Sequence, residues 1–141
     1  MTDPTATAEG RWDIAALRSG AGACIIFAVP LQVLADAVGR DSGWSLPCRI
    51  GALFGFFLGA GVAAWAQQRG FPLAHGLVTA IAAFVVVQAG FIVARAIVGH
   101  DLGLSRAVLN LTPVVGVGLL GGLMGQALQR RGIMPGMRRR T

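Results

Sequence analysis

The chain has 141 residues, 55% of them hydrophobic and only 13% charged, with a mean hydropathy of +0.68. A water-soluble domain of this size needs far more polar surface, so the composition selects an integral membrane protein. The formal charge of +6 does not indicate nucleic acid: all twelve basic residues are Arg, and five lie in the last twelve positions beside an apolar segment, where basic side chains set orientation and touch anionic lipid.

Residues 1–20 are small, polar and of mixed charge, and read as a disordered lead with a short interfacial turn at 12–17. A span needs about 20 apolar residues. The first fits 21–38, with Pro30 predicted to kink it by removing one backbone hydrogen bond. Arg11, Arg18, the apolar stretch 21–34 and Ala35-Asp36-Ala37 loosely resemble a signal peptide with its cleavage site. Against cleavage stand the acidic, overlong lead and the similarly placed Ala94-Arg95-Ala96 in the third span. The second span fits 50–66, the third 74–98 and the fourth 107–128, joined by turns at 39–49, 67–73 and 99–106. The expected architecture is all-α: a four-helix membrane bundle, because lipid requires each helix to satisfy its own backbone.

The chain repeats itself. Val38-Gly39-Arg40-Asp41 with Gly43 and Ser45 is matched by Val98-Gly99-His100-Asp101 with Gly103 and Ser105. Leu58-Gly59-Ala60 with Gln67, Arg69 and Gly70 is matched by Leu120-Gly121-Gly122 with Gln129, Arg131 and Gly132. Two tandem hairpins in parallel orientation follow, at 21–70 and 71–132, with a basic tail at 133–141. Their expected relation is a pseudo-two-fold along the membrane normal. Both termini then share a side. That side carries Arg11, Arg18, Arg69, Arg130, Arg131, Arg138, Arg139 and Arg140, against Arg40, Arg49, Arg95 and Arg106 on the other. The excess predicts cytoplasmic termini. The Arg-only, Ala-, Gly- and Val-rich usage matches a GC-rich bacterium, so the expected location is a bacterial plasma membrane. Trp12, Trp44 and Trp65 fall near the predicted interfaces.

Small residues let membrane helices approach closely. Gly51, Gly55 and Gly59 recur on one face of the second span, and Gly118/Gly122 and Gly121/Gly125 in the fourth. These helices are expected to form the packing core, at an internal contact or a homodimer seam. Ionisable groups inside a span are functional candidates by default. Asp36 and Arg95 qualify, and are expected to pair as an interhelical lock or to line a transport pathway. Gln32 and Gln88 lie deeper, as interhelical glue or as the lining of a polar cavity. Asn110 is expected to cap the fourth span or bond a loop, and Pro113 to sit in its first turn. Asp41 and Asp101 are each expected to cap their own turn.

No catalytic, cofactor-binding or metal-binding set emerges. Cys24 and Cys48 are on the order of 20 Å apart in depth by helix rise, too far for a disulfide. His75 and His100 lie at opposite faces and cannot share a ligand. No phosphate loop, Cys pair at metal spacing or nucleophile triad is present. The chain is therefore expected not to be an enzyme.

The run Gly59–Gly61, Ala63-Ala64, 67–70 and Pro72-Leu73-Ala74-His75-Gly76 resembles small four-span bacterial membrane proteins, the YrzE-like family and its actinobacterial relatives. The resemblance covers residues 51–90. It implies a four-helix membrane fold without an established activity, and carries over His75-Gly76 as a turn motif.

Two functional expectations follow. One is a non-enzymatic packing protein: an accessory or assembly subunit or self-associating scaffold, with a homodimer or another membrane protein as partner and anionic lipid at the arginines from Arg130 to Arg140. The other is a small oligomeric transporter or channel using Asp36, Arg95, Gln32 and Gln88.

Overall fold

The computed structural model describes residues 12–39, 41–99 and 102–133, apart from the side chain of Arg106. Among these the chain forms four helices: α1 (Ile14–Ala37), α2 (Ser45–Ala66), α3 (Pro72–Val98) and α4 (Leu104–Arg130). The shortest, α2, has 22 residues, about 33 Å at 1.5 Å per residue, enough for a hydrocarbon core of about 30 Å. All four are apolar enough to cross a membrane. Large apolar side chains cover the outside, among them Ile26, Val86, Ile97, Val108 and Leu109. Such a surface is untenable in water and ordinary in lipid, so the chain is a multi-pass membrane protein.

Three boundaries correct the sequence reading. Residues 14–20 are not a disordered lead. Asp13 caps α1 by accepting from the Ala16 N–H, and Ala16 and Gly20 are buried. A polar cap and two small residues let the helix start outside the apolar run. In the same way α2 begins at Ser45, so Arg49 is helical rather than part of a turn. α4 begins at Leu104, which places Asn110 and Pro113 well inside it. Gly39 and Gly99 follow α1 and α3, and Gly70 and Gly132 follow α2 and α4, all with positive φ. At Gly39, Gly99 and Gly132 glycine stops the helix without a Cβ penalty, whereas α2 ends at Ala66 on an extended Gln67, before Gly70.

The helices pack in the order α1, α2, α4, α3 around the bundle axis, with α2 and α3 also meeting across it. Among the described residues α1 and α4 make no close backbone approach. A pseudo-two-fold along the normal would make the α2–α3 and α1–α4 contacts equivalent, and they are not. Instead the hairpins lie side by side as layers, α1 against α3 and α2 against α4. The buried core is made largely of alanine, with Cys24, Phe56, Phe84 and Val114.

Candidate functional site

At the end where α1 begins and α4 finishes, small residues bring the described helices into close contact. The α2 stripe turns toward α1: Gly55 lies against Phe27 and Ala28, Gly59 against Gly20 and Cys24, and Gly51 against Leu31. The stripe therefore meets α1 and not α4. The α2–α4 contact uses the neighbouring face. Gly121 sits on the Phe57 carbonyl and Ala60, and a Cβ on Gly125 would stand 2.6 Å from the Gly61 carbonyl oxygen. Gly118 and Gly122 turn to Ala80, Leu77 and Leu73 of α3. Periodicity identifies a small-residue face but not the helix it meets.

Polar groups then tie the helix ends together. The Gln129 amide donates to the carbonyls of Trp65 (2.9 Å) and Gln67 (2.8 Å), and accepts from the Gln67 amide at 3.3 Å. Trp65 Nε1 donates to the Ile133 carbonyl. His75 is fully buried. Its Nε2 accepts from the Asp13 backbone N–H at 2.9 Å, so Nδ1 carries the ring proton and donates to the Phe71 carbonyl at 2.8 Å. Trp12 packs on the ring with centroids 5.1 Å apart. The Asp13 carboxyl is held below its ordinary pKa, chiefly by the Ala16 N–H, with the Gln68 N–H and the Arg69 charge adding and partial burial opposing. The network gives His75 an anchoring role that a turn motif alone does not reveal.

At the opposite end, which carries two of the three turns, the helices leave room. Asp36 on α1 bridges two arginines: Oδ2 accepts from Arg95 Nη2 of α3 at 3.3 Å, and Oδ1 lies 3.9 Å from Arg49 Nη2 of α2. Each of the three side chains stays about a third exposed. Arg49 Nε also donates to the Ser45 hydroxyl at 3.4 Å. Gly103, with φ +62°, lies under Arg95, where a Cβ would meet Nη1 at 2.9 Å. Below the ion pairs stand Gln32 on α1, Gln88 on α3 and Asn110 on α4. No hydrogen bond joins these three amides to other described residues.

These six side chains, contributed by all four helices, line one cleft. Its mouth, a cavity of about 20 Å³, is bounded by Asp36, Arg95 and Gly103. It continues past Gln32, Arg49, Gln88 and Asn110 into a chamber of about 80 Å³, walled by Ala52, Leu53, Phe56, Phe84, Pro113 and Val114. Phe56 and Phe84 meet edge to face, 6.0 Å apart. Arg49 and Asn110 therefore join the residues singled out in the sequence. Counting spans from the last charge had put Arg49 in a turn and Asn110 at a helix start.

The loop residues are elsewhere. Asp41 is exposed and makes no hydrogen bond to described residues. Its turn is held instead by Ser42, whose hydroxyl accepts from the Trp44 N–H at 3.3 Å. Asp101 lies outside the described residues. Cys24 and Cys48 are free and buried. Among the described residues, no three His, Cys, Asp or Glu side chains gather as metal ligands would.

The fold and cleft define a small four-span membrane protein with a polar cleft among its described residues. No family model matches the chain, and no curated protein or solved structure matches it.

Proposed function

We propose that this chain is a small membrane transport protein whose solute site is the cleft at the two-turn end, and that it carries out no bond-making chemistry. The observation that supports this reading is the set of unpartnered amides, Gln32, Gln88 and Asn110, converging from three helices. An amide without a partner at membrane depth costs several kcal/mol in hydrocarbon. The amides are tolerated if water or a solute fills the cleft. The Asp36 bridge closes the mouth and is the movable element. The small-residue contacts and the Gln129 network close the other end. With the termini in the cytoplasm of a bacterium, as the arginine excess favours, the cleft faces outward across the plasma membrane, and Arg130 and Arg131 meet anionic lipid.

A second reading, an accessory subunit or self-associating scaffold, draws on different residues. The glycine stripes are occupied by contacts within the chain, but Gly22, Gly90 and Gly116 face open space. They are the positions left for a second copy or another membrane protein.

Cysteine accessibility separates the two readings. In a chain carrying Cys24→Ala and Cys48→Ala, Gln88→Cys and Asn110→Cys are expected to react with a membrane-impermeant maleimide, while lipid-facing Val86→Cys is not. If both cleft positions resist as Val86→Cys does, the cleft is dry and the transport reading falls.

A further inference from the structure

We infer that the cleft accepts a small monocarboxylate with a short aliphatic body. This rests on the solute-cleft reading and names its substrate class.

The charges do not balance. Two guanidinium groups face one carboxylate, leaving one surplus positive charge among the described side chains of the cleft. The surplus sits on Arg49. Its Nη2 is 3.9 Å from Asp36, beyond hydrogen-bond distance, and only Nε is bonded, to Ser45. The free edge of a guanidinium matches a carboxylate in a planar, two-point arrangement. Arg49 borders both the mouth and the chamber, so a carboxylate bound there points its body inward.

The amides complete the head-group site. Gln32, Gln88 and Asn110 each offer an NH₂ with no competing acceptor, enough for the carboxylate lone pairs that Arg49 leaves open. Beneath them the wall is apolar: Leu53, Phe56, Phe84 and Val114. The chamber, about 80 Å³, is roughly half the 150 Å³ that admits benzene in an apolar cavity. A body of about four carbons fits on that scale, and an aromatic ring does not. A dianion is disfavoured, because its second charge would enter the apolar chamber without a partner.

The experiment uses the full chain in lipid nanodiscs, with Cys24→Ala, Cys48→Ala and a reporter, Ala107→Cys, at the mouth. The readout is its labelling rate by a charged maleimide, with sodium butyrate, butyramide or sodium sulfate at matched ionic strength. Butyrate is expected to slow labelling saturably, about tenfold at ten times its dissociation constant. Butyramide and sulfate are expected to have little effect. Arg49→Gln should lose the dependence on butyrate, whatever its own basal labelling rate, and Arg49→Lys should keep partial protection. That pair separates a lost charge from a lost fold, since a site lost by misfolding would not keep protection in the variant that retains the positive charge. Labelling without protection by butyrate overturns the inference and leaves the open cleft standing. So does equal protection by butyramide or by sulfate, which would make the site one for neutral solutes or for inorganic anions. No labelling of Ala107→Cys at all removes the cleft reading itself.

Discussion

At the end holding the termini, glycines and alanines bring the helix backbones together and an amide and imidazole network ties their ends. At the other end, six polar side chains from the same four helices share one carboxylate bridge and one hydroxyl contact. The helices are continuous from one end to the other, so the difference lies in side-chain size and not in backbone. Where Gly20, Gly59, Gly61 and Gly125 stand, backbones meet. Where Gln32, Arg49, Gln88 and Asn110 stand, the helices are held apart and a cavity remains. In lipid no hydrophobic force closes such a gap, so only packing or a filling solute does.

Substitutions at the two ends should expose the contrast, and the largest effect belongs to the closed end. Gly59→Leu drives a side chain into Cys24 and the Gly20 backbone. Overpacking of this kind costs about 3 kcal/mol or more, so loss of monodisperse protein is expected in detergent chromatography. Gly116→Leu, facing open space, should stay within about 0.5 kcal/mol of the parent. If the two behave alike, close packing is not what holds this end.

Gln129→Ala comes next. It removes three hydrogen bonds and leaves the Gln67 amide without its partner, at roughly 1–3 kcal/mol. Thermal unfolding in detergent should show the fall. Asp13→Ala removes the α1 cap at about 1 kcal/mol. The sign of its pH dependence is fixed. The folded-state pKa lies below the ordinary 3.8, so the stabilisation is complete above the unfolded value and disappears as pH falls through the folded one. An acid melt should therefore separate parent from variant at neutral pH and bring them together in strong acid. Among the polar substitutions the smallest stability change is expected for Asp36→Asn at the open end, because its pairs are about a third exposed and such pairs contribute about 0–1 kcal/mol. Its visible effect should be faster maleimide labelling of the cleft. A large loss of stability on Asp36→Asn would mean that the bridge holds the bundle rather than gating it.

The four spans were legible because apolar runs bounded by charges are conspicuous, and Asp36 and Arg95 stood out as charges within such runs. Their partnership with Arg49 was not legible. A helix that begins before its apolar stretch, with Ser45 in its first turn, hides a cleft residue among loop residues. Asn110 was hidden in the same way by the polar first turn of α4. The layered arrangement of the hairpins was also beyond the sequence. Whether two consecutive hairpins lie around an axis or side by side depends on which face of each helix is narrower, and α4 presents small residues on two faces.

That layering has a topological consequence. Rotation about an axis closes a set, whereas side-by-side displacement leaves an unmatched face at each end. Among the described residues, the α1–α2 layer and the α3–α4 layer each keep one broad side without a neighbour. Geometrically this is an open series of two, to which a further hairpin of the same orientation could be added without disturbing the cleft between the first pair.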